Sequence, residues 1–274
     1  MEVAEKLRLT PAQRLHFDIY GYVLLEGVLT PDEVNRMKAA VLRMNADPDL
    51  AARRVIVKRP KSHFAVFENI IEYDPALLEY AVHPKLIPLV EDVVGGGVRL
   101  EESVAILSRR DPEAELETLR RRRYNVLGFH SGTKHGWGTY IEQNRFHCLF
   151  VKTLAYLTDV GPDDGGTTMI PGSHRTPWLQ KEMVEAALSD DALVRQIEAK
   201  AGSVLLFPES LIHSSTAIRS DTERIILPYG YTPPMMREWT GHEVGPEFIQ
   251  TLPEEMRRLI SGSDNWRWRR HYEK

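Results

Sequence analysis

Two histidines in this sequence stand where an imidazole could do chemistry. His130 lies inside Gly128-Phe-His-Ser-Gly-Thr133, and His213 inside Glu209-Ser-Leu-Ile-His-Ser-Ser215. Both fall in strand patterns, where the residue two positions on shares the same face. Gly132 is therefore expected beside His130, and Ser215 beside His213. A turn signal at Ser220-Asp221 sends the chain back, so Arg224 is expected on the neighbouring antiparallel strand. It would sit opposite Ala217, roughly 13 Å along from His213. A five-carbon dicarboxylate ligated to a metal at His213 and met by a guanidinium spans about that gap, with Ser215 midway. An arginine fork suits a carboxylate better than a lysine ammonium does.

The elements that must position these residues change character along the chain. Thr10-Pro11 caps a helix carrying Leu15, Phe17 and Ile19, and Tyr22-Val-Leu-Leu25 reads as a short strand. Thr30-Pro-Asp-Glu33 is a capping box, and the helix it opens carries Val34, Met37, Val41 and Leu42 at helical spacing. Residues 75–94 read as a helix or helix pair ended by Gly95-Gly-Gly97. The period then becomes two, at Val98, Leu100, Val104 and Ile106. Further strands are expected at 125–131, 147–159, 167–171, 202–207, 211–218 and 224–231, with helical patterns at 178–199 and 252–261. Helices followed by many short strands suggest a mainly β jelly roll with flanking α-helices. The expectation is a single domain over 1–274. A helical layer would cover about 1–97, the jelly-roll core about 98–235, and a helical tail about 236–274.

Composition bounds the function classes. The 274 residues carry a formal net charge of −4, which gives no electrostatic reason to expect nucleic acid or an anionic membrane as partner. One cysteine, Cys148, excludes an intramolecular disulfide framework and a Cys-rich zinc module. No apolar run approaches the roughly 18 residues that span a bilayer, and no signal-peptide pattern opens the chain. A cytoplasmic protein is expected.

The ordered set of motifs resembles the phytanoyl-CoA dioxygenase-like iron(II)/2-oxoglutarate oxygenases. It runs from His16 to Glu26 and through Leu29-Thr-Pro-Asp-Glu33, His83 to Val90, and Asp159-Val-Gly-Pro-Asp-Asp-Gly-Gly166. It continues through Ile170-Pro-Gly-Ser-His174 and Ala201 to Phe207, ending at the His213, Ser215 and Arg224 trio. The resemblance implies a double-stranded β-helix of the cupin-like kind. In it, His130 and His213 would bind Fe(II), Ser215 and Arg224 would hold the far carboxylate of 2-oxoglutarate, and Thr133 would add a hydrogen bond to that cosubstrate. The substrate implied is a small molecule with an aliphatic C–H bond.

At one position the sequence leaves the family pattern of His-x-Asp, which completes a two-histidine, one-carboxylate triad. The third residue here is Gly132. In related iron/2-oxoglutarate halogenases that residue is Ala or Gly, and chloride takes the vacated coordination position. Gly132 therefore tips the expectation toward halogenation, with chloride as an added ligand. Two alternatives stay open. Water or another carboxylate could complete the shell of a hydroxylase, or the chain could be a non-catalytic jelly-roll binding protein. Glu209 is the candidate carboxylate, but a regular strand would carry it about 13 Å from His213 unless Pro208 bends the chain.

Other residues are weighed against plainer roles. Asn125 could point toward the cosubstrate or form a strand-edge hydrogen bond. Trp137 and Tyr140 could line a substrate pocket or a hydrophobic wall. His174 is expected to be architectural, and Asp163-Asp164 to be part of a glycine-rich turn. Arg120 to Arg123 belong either to a solvated helix or to a lid that recognises an anionic substrate. Trp266 to Tyr272 is expected to pack back on the domain.

Overall fold

The computed structural model describes residues 7–121, 128–134, 136–142, 144–236 and 243–262. Helix α1 (Pro11–Tyr20) and helix α2 (Pro31–Ala46) both start at full capping boxes, Thr10 with Gln13 and Thr30 with Glu33. Each box satisfies backbone N–H groups that a helix start otherwise leaves orphaned. Strand β1 (Val23–Leu25) lies between them, and a hairpin, β2 (Ile56–Lys61) with β3 (Phe64–Glu68), follows. Helices α3 (Pro75–Ala81) and α4 (Ile87–Val94) lead to the long strand β4 (Arg99–Ser108) and the short helix α5 (Leu116–Arg121).

Next come β5 (Thr139–Glu142), β6 (Arg145–Cys148), β7 (Val151–Tyr156) and β8 (Thr167–Met169). Helix α6 (Gln180–Ser189) precedes β9 (Arg195–Gln196), β10 (Val204–Pro208), β11 (His213–Ser215) and β12 (Arg224–Thr232). Helices α7 (Pro246–Thr251) and α8 (Glu254–Ser261) close the described chain.

Seven strands form one antiparallel sheet in the order β1-β10-β7-β12-β4-β3-β2, and three form a second in the order β11-β8-β9. The two faces of β12 explain how the layers assemble. Ile225, Leu227, Tyr229 and Tyr231 join the larger core, with the Tyr229 and Tyr231 hydroxyls donating to the carbonyls of Leu77 (2.9 Å) and Ala81 (3.0 Å) on α3. The alternate residue Ile226 packs instead with Leu154, Tyr156, Leu205 and Phe207 of the large sheet and Met169 of the small one. That second cluster fills the space between the sheets. Each fully buried side chain of this size contributes about 2–3 kcal/mol through removal of apolar surface from water.

The jelly-roll class expected from the sequence is the fold observed, but three expectations need correction. The N-terminal 97 residues are not only a helical layer, because β1, β2 and β3 all belong to the large sheet. The helical pattern at 178–199 ends at Ser189, and the chain then forms β9 beside β8. Arg224 does not face Ala217 across a hairpin. It pairs with Ser108 on β4, because the chain between β11 and β12 crosses from the small sheet to the large one.

Candidate active site

His130 and His213 are brought together by a reciprocal backbone pair. Each N–H donates to the other's carbonyl at 2.9 Å, so the two residues oppose one another and their side chains share a face. The ring centroids lie 4.3 Å apart. The Nδ1–H of His213 donates to the Leu211 carbonyl at 2.8 Å, and Nδ1 of His130 lies 3.4 Å from the Gly128 carbonyl. For His213 this hydrogen bond leaves the Nε2 lone pair free, the arrangement that metal-ligating histidines use. Burial depresses the His213 pKa to about 4 against an opposing pull from Glu209, so the ring is neutral at neutral pH. Phe207, from the cluster between the sheets, packs edge-on to His213 at 4.9 Å.

The place beside Gly132 is filled. A Cβ built on Gly132 would fall on the Glu209 carboxylate, with Cδ at 2.7 Å. A regular strand would have kept Glu209 far away. Instead the chain turns after β10, with the Leu211 N–H donating to the Pro208 carbonyl at 2.9 Å. The Glu209 carbonyl then accepts from the N–H groups of Gly132 (2.9 Å) and Thr133 (3.3 Å). The placement of chloride at Gly132 does not fit this arrangement.

Glu209 is buried, and its Oε1 lies 3.2 Å from the ammonium of Lys152, which also pairs with Glu102. Burial pushes the Glu209 pKa up, but Lys152, His213 and His130 outweigh it and hold the carboxylate below its ordinary value. Among the described residues, no three His, Cys, Asp or Glu side chains already converge as a metal cluster.

Arg224 lies on the same inward face of β12 as Ile226. It is buried, and burial lowers its pKa to about 10, so it remains charged at neutral pH. Its Nε donates to Ser108 Oγ at 3.1 Å and its Nη1 to the Gly165 carbonyl. Among the described residues no carboxylate pairs with it. Gly165 has φ +72, and a Cβ there would meet Ile218 Cγ1 at 2.6 Å, so glycine is required where its carbonyl reaches Arg224. Tyr156, whose hydroxyl donates to Thr167 Oγ1 at 3.4 Å, borders the guanidinium, and Thr167 faces Ser215 in the β8–β11 register. A cavity of about 600 Å³ opens beside Arg224, lined by Phe64, Ser108, Leu119, Ala217 and Ile218. Lys61 and Arg109 at its edge are already paired, with Asp111 and Glu223 respectively.

The donor set fits a metal and a diacid. The His130 and His213 rings lie side by side, and a buried cation that lacks a carboxylate partner among the described residues stands on the inward face of β12. Thr133 is buried beside the pair, held through its N–H to Glu209.

Other expectations are redistributed. The Tyr140 hydroxyl donates to the Val94 carbonyl at the end of α4 (2.7 Å), and its ring stacks on His147. Trp137 is 47% exposed. His174 is buried against Phe146 and Gly21, an architectural position, and Asp164 closes its turn by accepting from the Gly161 N–H at 2.8 Å. Asn125, Arg122, Arg123 and the segment from Trp266 to Tyr272 lie outside the described residues.

Sequence reasoning missed Lys152, Glu102, Tyr156, Thr167 and Ser108. A signal existed for Lys152, a charge inside the apolar strand Val151–Tyr156, since a buried ammonium requires an anionic partner.

Comparison with known proteins gives the chain its family. The description of the phytanoyl-CoA dioxygenase (PhyH) family matches residues 17–226. The chain belongs to that family of iron(II)/2-oxoglutarate oxygenases. An ectoine dioxygenase from Nocardia farcinica is 24% identical over 227 residues, covering 73% of this chain and 70% of its own. Among solved structures, HygX from Streptomyces hygroscopicus with nickel and 2-oxoglutarate bound superposes with a TM-score of 0.68 at 22% identity, over 84% of this chain and 90% of its own. The apoform of EctD from S. alaskensis gives 0.66 at 20% identity, over 89% and 84%. At these identities the structural likeness establishes the fold. No helix among the described residues is long and apolar enough to cross a membrane.

Proposed function

We propose that this PhyH-family protein binds Fe(II) through His130 and His213, holds 2-oxoglutarate with Arg224 and Ser215, and hydroxylates an aliphatic C–H bond of a small molecule. The observation that carries this reading is the pair of imidazoles 4.3 Å apart, together with a buried arginine that has no carboxylate partner among the described residues. When bound, iron(II) would activate dioxygen as the oxidant with 2-oxoglutarate as co-reductant, so that one oxygen atom leaves in succinate beside carbon dioxide and the other enters the C–H bond.

The chain's own residues supply the rest. Leu211 fixes the tautomer of His213. Ser108 and the Gly165 carbonyl aim the Arg224 fork, and Ser215 and Thr133 offer hydroxyls beside the cosubstrate. Hydroxylation is favoured over halogenation because the Glu209 carboxylate occupies the place that a halide would need. The relatives point to small-molecule substrates: one is named for ectoine, and HygX has been solved with hygromycin B bound. An anionic substrate gains little support, since Lys61 and Arg109 are already paired.

The test is iron-dependent conversion of 2-oxoglutarate to succinate, run with chloride present over a panel of small polar substrates. Arg224→Lys is expected to raise the KM for 2-oxoglutarate about 10- to 100-fold, the worth of charge-assisted hydrogen bonds. Absence of iron-dependent turnover rejects the enzyme reading, and a chlorinated product rejects hydroxylation.

A further inference from the structure

We infer that Glu209 is the carboxylate of the metal centre, reaching from the turn after β10 into the place an acidic side chain at residue 132 would otherwise fill. The inference rests on the oxygenase reading and names the third protein ligand of the same site.

Three observations converge on it. The first is volume. A side chain at residue 132 and the Glu209 carboxylate cannot coexist, because a Cβ there would fall on that carboxylate. An acid can therefore enter this space from residue 132 or from residue 209, but not from both. The second is backbone anchoring. The Glu209 N–H donates to the Phe150 carbonyl at 3.0 Å, and its own carbonyl accepts from Gly132 and Thr133. The root of the side chain is therefore fixed relative to the segment that carries His130.

The third observation is charge. Oε1 faces Lys152 at 3.2 Å, whereas Oε2 is the atom nearest the missing side chain of Gly132. Lys152 is shared with Glu102, so one oxygen of Glu209 can stay on the ammonium while the other serves a metal. Metal entry then requires only a turn of the carboxylate toward the imidazoles, which side-chain torsions permit without moving the pinned backbone. A structural ion pair with Lys152 would explain the buried charge. It gives no reason for the carboxylate to fill the space beside Gly132, on the segment that carries His130.

The test uses Co(II) alone, added anaerobically to the full chain and followed by calorimetry and visible absorption. Wild type is expected to bind it with a spectrum indifferent to chloride. Glu209→Gln, nearly isosteric but uncharged, is expected to weaken binding at least about tenfold. Glu209→Ala combined with Gly132→Asp returns the acid to the other strand, and affinity is expected to recover to within a few-fold of wild type. Undiminished affinity in Glu209→Gln overturns the proposal. So does loss without recovery in the double variant, which identifies a purely structural role.

Should the variants fail to fold, wild type decides alone. A Co(II) spectrum that shifts with chloride reveals an anion position open at the metal and overturns the proposal, while an unmoved spectrum supports it. If wild type binds Co(II) and consumes 2-oxoglutarate while Glu209→Gln keeps its affinity, only the ligand assignment falls. If wild type binds no Co(II), the oxygenase reading falls with it.

Discussion

His213 shows how a single residue's surroundings set both its chemistry and its energetic cost. Packed against Phe207 and turned toward the Leu211 carbonyl, it is held neutral because burial disfavours the imidazolium. Its folded pKa of about 4 lies below the model-peptide value of 6.5, so the unfolded chain binds the proton more readily. Stability from this group is therefore present above pH 6.5 and is lost as pH falls toward 4. Between pH 7.5 and 5 the metal-free protein is expected to lose about 2 kcal/mol through this group. Urea unfolding at both pH values, compared with His213→Gln, isolates the effect, and an equal loss in the variant would refute it. The placing of Ser215 beside His213 on one strand face was legible because local spacing dictates it, whereas the strand partner of Arg224 was not. Lys152, Tyr156 and Thr167 were not, because their importance depends on which strand lies across the barrel, and no local pattern reports that.

Elements decide which of those residues meet. The capping boxes at Thr10 and Thr30 were readable because a helix start is a local event, settled within four residues. The hairpin β2–β3 was not, since Ile56-Val-Lys-Arg-Pro-Lys61 alternates weakly and contains a proline. The path from β11 to β12 misled for a related reason. Ser220-Asp221 signals a turn, but a turn signal does not say whether the next strand pairs locally or changes sheets. The hairpin β5–β6 gives a prediction at this scale. Tyr140 on β5 caps the C-terminal end of α4 through the Val94 carbonyl and occupies the space over Gly95. Tyr140→Phe is expected to cost about 1 kcal/mol of stability, the usual worth of such a bond. It should leave succinate formation within about twofold of wild type. A large rise in KM for substrate or cosubstrate with unchanged stability would return Tyr140 to the pocket.

At the scale of the whole molecule, the two sheets bring together residues that the chain keeps far apart. His130 belongs to an isolated bridge, Glu209 to a turn, His213 to the small sheet and Arg224 to the large one. A ligand touching all of them ties the sheets to each other, and whatever binds only the folded state stabilises it by mass action. At a concentration about 100 times Kd, that stabilisation is about 2.7 kcal/mol. It corresponds to a rise in Tm of about 5 °C for a chain near this length. Because a diacid chelating a metal at the histidines would also meet Arg224, anaerobic Co(II) and 2-oxoglutarate together should raise Tm by more than the sum of their separate effects. Arg224→Met should keep the increment from Co(II) and lose the one from 2-oxoglutarate. If 2-oxoglutarate raised Tm equally with and without Co(II), the diacid would be binding at Arg224 alone, and the two halves of the site would not act as one.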